Sequence, residues 1–278
     1  MATFTGTEGA DIVPSLILGP VQALGNDTIN GLGGDDVIAG YSGNDTINGG
    51  AGADVLIGGI LNVVGGIGDI QLSGVDTADY STATSAVFVN LAATGNLDID
   101  ILGIHLGLTG VTTGRGGEAE GDSLIGMTNL SGSGFNDYLG GNTDENTLTG
   151  GAGNDNLAGN GGADVLDGGA GTQDMADYTA SSAGVTVSLV TGTGTGGDAA
   201  GDTLTGIEWL RGSAFSDSLT GDGGANRLSG HRHWRRRGRR HADGHRMAAW
   251  QRLQRFPDRR WWCQPSVRPG RHGHARRR

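Results

Sequence analysis

Four aspartates stand nine residues apart, at Asp27, Asp36, Asp45 and Asp54, and two positions after each comes Ile29, Ile38, Ile47 or Leu56. Glycines fill the gaps between them. A strict period of nine with one large aliphatic per unit leaves few folds open. Each unit must reverse the chain in a tight turn, where glycine reaches positive φ without steric cost. It then forms a strand so short that a single side chain points inward. Two units close one flattened coil, so turns on the same edge lie eighteen residues apart. Asp27 is expected to stack over Asp45, and Asp36 over Asp54. A solvated Gly/Asp linker would have no reason to phase its aliphatic residues in this way.

Laid out from Gly49, one unit reads Gly49-Gly50-Ala51-Gly52-Ala53-Asp54-Val55-Leu56-Ile57, that is G-G-x-G-x-D-x-U-x with U a large aliphatic. This resembles the RTX (repeats-in-toxin, hemolysin-type) calcium-binding nonapeptide, as in the C-terminal β-roll of serralysin-like proteins. The resemblance implies an all-β fold, a parallel β-roll, with two strand-rich segments interleaved among its arrays. Stacked carboxylates with turn carbonyls between them make an oxygen cage, and hard Ca²⁺ favours six to eight oxygen ligands. The expected cofactor is Ca²⁺. The expected ligands are Asp11, Asp27, Asp36, Asp45, Asp54, Asp137, Asp155, Asp164 and Asp217, with the turn glycines Gly25, Gly34, Gly43, Gly52, Gly153 and Gly162.

The phase returns further along. Leu139, Leu148, Leu157 and Leu166 are again nine apart, preceded two residues earlier by Asp137, Asn146, Asp155 and Asp164, and a third array opens at Asp217/Leu219 and Asn226/Leu228. Asn146 and Asn226 offer only a neutral carbonyl oxygen, so those turns should hold calcium weakly or not at all. Asp11, in Gly6-Thr7-Glu8-Gly9-Ala10-Asp11-Ile12-Val13, sits 16 residues before Asp27 and reads as an atypical capping repeat.

A longer repeat separates the arrays. Asp76-Thr77-Ala78-Asp79-Tyr80 recurs as Asp174-Met175-Ala176-Asp177-Tyr178, and Val87, Val89 and Leu91 as Val185, Val187 and Leu189. That alternation predicts a half-buried strand. Gly121-Asp122-Ser123-Leu124 matches Gly201-Asp202-Thr203-Leu204, and the change of offset from 98 to 80 places 18 extra residues in the first copy, around Asp98 to Thr113. Leu130, Gly132-Ser133 and Phe135 match Leu210, Gly212-Ser213 and Phe215. Both copies read as wider coils of one solenoid, with Tyr80, Tyr178, Phe135 and Phe215 as core or stacking residues rather than ligand contacts. The expected order is a cap and first array (1–59), a strand-rich segment (60–136), a second array (137–169), a second segment (170–216), the start of a third array (217–230) and a tail (231–278).

Through Gly230 the chain holds 28 acidic residues against Arg115, Arg211 and Arg227, a net charge of −25, and the whole protein has 56 glycines and no lysine. Such a chain repels itself, and one aliphatic per nonapeptide is too thin a core to offset the ordering entropy alone. Folding and metal binding are therefore expected to be one event. After Gly230 the balance inverts: residues 231–278 hold 16 arginines, six of the seven histidines and only two aspartates. Shifted forward by one base, codons for this stretch permit Gly-Gly-Gly-Ala-Gly-Asp-Asp-Met-Leu from Trp234. The tail therefore reads as a disordered frameshift product, in preference to a basic arm for nucleic acid or membrane. His231, His233, His241 and His245 could match a metal site by count but have no ordered scaffold. Cys263 has no partner for an internal disulfide.

No H-E-x-x-H or G-x-S-x-G motif occurs, and the absence of lysine removes Walker A and Schiff-base chemistry. Gly192-Thr193-Gly194-Thr195-Gly196-Gly197 fits G-x-G-x-x-G but leads into Asp198-Ala199-Ala200-Gly201 rather than a helix. His105 reads as a partly buried histidine in the apolar insert. No signal peptide or long apolar helix is visible. The sequence thus predicts a calcium-binding module with no catalytic site, no nucleic-acid partner and no membrane span. The resemblance implies a secreted, extracellular bacterial protein exported by a type I secretion apparatus. Alternatives are the C-terminal module of a larger protease, lipase or hemolysin, or an adhesin repeat region.

Overall fold

The protein is seen in a computed structural model that describes residues 3–6, 9, 12–13, 25–64, 67–71, 74–92, 95–101, 104–231 and 234–235. They fall in one compact unit, Met1–Arg237; a second unit, Gly238–Arg278, lies outside the described residues.

The expected coil repeat is present. Strand Thr28–Asn30 pairs in parallel with Thr46–Asn48, Ile29 opposite Ile47, and Val37–Ala39 pairs with Val55–Ile57, Ile38 opposite Leu56. Successive turns on one edge are eighteen residues apart. Each three-residue strand buries its central side chain completely: Ile29, Ile38, Ile47 and Leu56 are all 0% exposed. The residue before each, Thr28, Val37, Thr46 or Val55, is only partly buried, as the period-two geometry of a strand requires, while Ala39 and Ile57 after two of them are buried as well.

The interleaved segments continue the same ladders. Along one sheet the inward column runs Ile29, Ile47, Ala78, Leu130, Leu148, Leu166, Leu204, one residue per coil. A second sheet stacks Val89, Leu139, Leu157, Ala176, Leu210 and Leu228 in the same way. Ala78 and Ala176 stand where the arrays use leucine or isoleucine, and the fully buried rings of Tyr80 and Tyr178 belong to the same core cluster. Strand Phe88–Asn90 carries the expected alternation: Val87, Val89 and Leu91 are buried while Phe88 is exposed.

Antiparallel strands interrupt the parallel roll at fixed places. Gly95–Ile101 and Ile104–Thr113 form a hairpin that accounts for the extra residues of the first copy, and Ile104–Thr113 then pairs antiparallel with Ser123–Ile125. In the second copy a shorter hairpin, Thr186–Ser188 with Thr193–Thr195, meets Thr203–Thr205 in the same sense. His105 lies opposite Asp100 in the long hairpin, and its side chain is outside the described residues.

Two expectations are corrected. Phe135 and Phe215 are not core residues; they are 45% and 49% exposed. The backbone N–H of each donates to the hydroxyl of Ser133 or Ser213 two residues earlier, a tight turn that leaves the ring outside the roll. The roll also passes Gly230. Strand Arg227–His231 pairs with Trp209–Ser216, and Trp234–Arg235 pairs with Ser218–Thr220, so the compact unit ends at Arg237. Backbone pairing asks for N–H and C=O groups in register, which arginine and tryptophan supply as well as any residue. Composition therefore placed the boundary too early. His233, His241 and His245 lie outside the described residues.

Candidate metal centre

Most of the short strands begin one residue after an aspartate, so strand register puts those aspartates in columns. One column runs Asp27, Asp45, Asp76, Thr128, Asn146, Asp164, Asp202. A second runs Asp36, Asp54, Asp122, and a third Asp137, Asp155, Asp174, Glu208, Asn226. Where the next member of a column is an aspartate, the backbone N–H of the one before donates to its Oδ1. Asp27 donates to Asp45, Asp36 to Asp54, and Asp137 to Asp155, each at 2.8 Å.

The other carboxylate oxygen has a different environment. Among the described residues, Oδ2 of Asp45, Asp54, Asp155, Asp164 and Asp174 is buried with no hydrogen-bond partner, although these residues are at most 1% exposed. Burying a charged oxygen without a partner is costly, so such an array calls for a cation. The first glycine of each turn faces that oxygen. An ideal Cβ on Gly31 would collide with Oδ2 of Asp36 and the carbonyl oxygen of Gly49. On Gly150 it would collide with Oδ2 of Asp155 and be crowded by the carbonyl of Gly168. Carboxylate and carbonyl oxygens therefore converge where only glycine leaves room.

Burial dominates the electrostatics. It pushes Asp45 and Asp54 up to about 6, and Asp155 and Asp164 up to about 7. Backbone N–H donors oppose the rise, and neighbouring carboxylates add to it. The side-chain ion pair of Arg211 with Asp177, at 3.5 Å, does not involve the column carboxylates. Nor do three acidic, histidine or cysteine side chains gather at one point among the described residues. A cation held here would take carboxylate oxygens from a column and complete its shell with turn carbonyls, a donor set of hard oxygens that suits calcium.

The expected ligands fall into groups. Asp27, Asp36, Asp45, Asp54, Asp155 and Asp164 are buried column members, and Gly25, Gly34, Gly43, Gly52, Gly153 and Gly162 all hold positive φ, between 104° and 149°. Asp137 and Asp217 differ, since Oγ of Ser133 and Ser213 donates to their carboxylates. Asn146 has turned its amide into the space: Nδ2 donates to the Thr128 carbonyl at 2.7 Å. Asp11 lies outside the described residues. The strand after it, Ile12–Val13, pairs with Val37–Ile38.

Sequence reasoning missed four aspartates of the columns: Asp76, Asp174, Asp122 and Asp202. The first two stand in interrupted turns, Gly58-Gly59 … Gly74-Val75-Asp76 and Gly168-Gly169-Ala170-Gly171-Thr172-Gln173-Asp174. The signal was there once an insertion within G-G-x-G-x-D is allowed. Asp122 and Asp202 accept from the backbone N–H of Asp54 and Asp164 through Oδ1, and from the hydroxyls of Tyr80 (2.9 Å) and Tyr178 (2.8 Å) through Oδ2. The matched Asp-Tyr and Gly-Asp motifs of the long repeat are the two halves of this contact.

A parallel β-roll with stacked acidic turns and glycine-lined oxygen pockets is a metal-binding repeat module. Comparison with known families agrees: the RTX calcium-binding nonapeptide repeat (four copies) matches residues 23–59, 140–172 and 202–232. The chain carries RTX calcium-binding nonapeptide repeats, non-catalytic units whose metal is Ca²⁺. No curated protein matches the chain. Among the described residues no helix is long and apolar enough to cross a membrane.

Proposed function

We propose that this chain is a calcium-dependent folding module of a secreted bacterial protein, ordered by Ca²⁺ outside the cell. The observation that carries this reading is the set of buried, unpartnered carboxylate oxygens at Asp45, Asp54, Asp155, Asp164 and Asp174. Without a cation they repel one another across a thin core. With one, the same oxygens hold successive coils together and stabilise the folded form alone. Low cytosolic calcium would then keep the chain extended for passage through a type I secretion channel, and millimolar calcium outside would fold it. The module supports whatever activity a parent protein holds, whether protease, lipase, hemolysin or adhesin, since the fold does not determine that role. Residues 231–278 are read as a frameshift product from their composition, and sequencing the genomic DNA across Gly230 tests that.

Far-ultraviolet circular dichroism decides the main point. The strand signal should be weak in chelator, rise cooperatively in millimolar Ca²⁺ and not return in equal Mg²⁺, which demands a tighter octahedral shell and dehydrates reluctantly. A full strand spectrum in chelator would overturn the proposal.

A further inference from the structure

Two turns that begin within the matched repeats but end beyond them, at Asp76 and Asp174, reproduce the oxygen pocket of the regular repeat. We propose that Asp76 and Asp174 form additional calcium positions in turns split by insertions, while Asp122 and Asp202 close their columns with a tyrosine hydroxyl in place of a cation. This inference rests on the calcium reading of the regular repeats.

At Asp76 a hairpin, Ile60–Val64 with Ile67–Gln71, has been inserted into the turn between Gly59 and Gly74. The turn closes again beneath it. The N–H of Asp45 donates to Oδ1 of Asp76 at 2.9 Å, as that of Asp27 donates to Asp45, and the N–H of Val75 reaches Oδ1 of Asn44, as that of Asn44 reaches Asn26. Gly74 keeps the positive φ of the regular turns, at 103°. A Cβ on Gly58 would meet Oδ2 of Asp76 and the carbonyl of Gly126, the pairing that Gly31 shows with Asp36 and Gly49.

At Asp174 the turn has gained one residue, so its offset from Asp155 is 19 instead of 18. The N–H of Asp155 still donates to Oδ1 of Asp174 at 2.8 Å. Asp174 is 0% exposed and its Oδ2 has no partner, the state of the regular aspartates. A Cβ on Gly171 would strike both carboxylate oxygens and the carbonyl of Gly153; one on Gly168 would strike the carbonyl of Gly206. The carbonyls of Gly126 and Gly206, from the strand-rich segments, thus stand where an array glycine supplies its own.

Asp122 and Asp202 are also 0% and 1% exposed, yet both oxygens of each are hydrogen bonded. Each stands where the parallel ladder ends and an antiparallel strand docks, at Ser123–Ile125 and Thr203–Thr205. The next strand runs the other way and presents no following turn, so no further carboxylate can stack there. The phenol supplies the missing donor. Interrupted turns therefore extend the calcium columns, and tyrosines end them.

The test is anomalous diffraction from crystals of the unmodified chain soaked in Tb³⁺, an oxygen-seeking stand-in for Ca²⁺, paired with calcium counting by equilibrium dialysis. Terbium peaks are expected beside Asp76 and Asp174 as well as beside Asp45, Asp54, Asp155 and Asp164, with none at Asp122 or Asp202. Asp174→Asn and Asp76→Asn should each lower the saturating calcium count by one, and Tyr178→Phe should leave it unchanged. Peaks at the regular turns but none at Asp76 and Asp174 would overturn this inference and leave the calcium reading standing. Absence of peaks at the regular turns, with no loss of bound calcium in Asp164→Asn, would overturn both. A peak at Asp202 in the unmodified chain would overturn the closing role of tyrosine.

Discussion

Replacing Tyr178 by phenylalanine removes one oxygen and leaves the ring's packing in place. The hydroxyl donates to Oδ2 of Asp202 at 2.8 Å, and Tyr178 is 2% exposed, so water cannot take over the lost bond. A hydrogen bond to a charged group contributes about 1.5–3 kcal/mol net, and an unsatisfied buried oxygen costs a similar amount. Burial already raises the Asp202 pKa, while the hydroxyl and the Asp164 N–H hold it down. Tyr178→Phe should therefore raise it further and destabilise the calcium-saturated fold by about 2 kcal/mol, a factor of roughly thirty in the folding constant. For a domain of this size that lowers the melting temperature by about 4–8 °C. Thermal and urea unfolding in saturating Ca²⁺ measure it. Combining the change with Asp202→Asn isolates the pair, because the variants should fall short of additivity if the contact is the cause. A Tyr178→Phe protein within about 0.5 kcal/mol of the parent, itself the scatter of neutral surface changes, would refute the reasoning.

In chelator, acid should partly replace calcium. Asp155 and Asp164 have folded pKa values of about 7 against roughly 3.9 unfolded, so the fold binds the extra protons. Metal-free stability should rise as pH falls from 8 towards 5 and be lost again as pH climbs through 7, followed by circular dichroism; a decline on acidification would contradict the burial described here. Leu157→Ala, at a fully buried position, should cost about 2–5 kcal/mol in calcium by urea unfolding. Leu32 holds φ 78° where the regular repeat has glycine, so Leu32→Gly should stabilise by about 1 kcal/mol, whereas Gly52→Ala, at φ 149° against the Gly34 carbonyl, should destabilise by more than that. Asn146→Asp would set a carboxylate oxygen against the Thr128 carbonyl that Nδ2 now donates to. It should weaken the fold in chelator and tighten calcium binding by calorimetry; weaker binding would oppose the column register.

Much of this protein was legible in its sequence because the fold is nearly one-dimensional. A period of nine fixes the turn, the inward side chain and the coil, so Asp27 over Asp45 and Ile38 beside Leu56 follow from counting alone. The donor chemistry follows as well, since aspartate and glycine in that phase leave only oxygen ligands. Counting failed where the chain breaks phase. Asp76 and Asp174 rejoin their columns after insertions of different length, and only strand pairing shows that an offset of 31 or 19 does the work of 18. The partnership of Tyr80 with Asp122 spans 42 residues and depends on an antiparallel hairpin ending a parallel ladder. Local periodicity determines a repeat because each coil contacts its neighbours alone. Where a ladder stops depends on which distant strand docks against its last member, and that is decided by tertiary pairing.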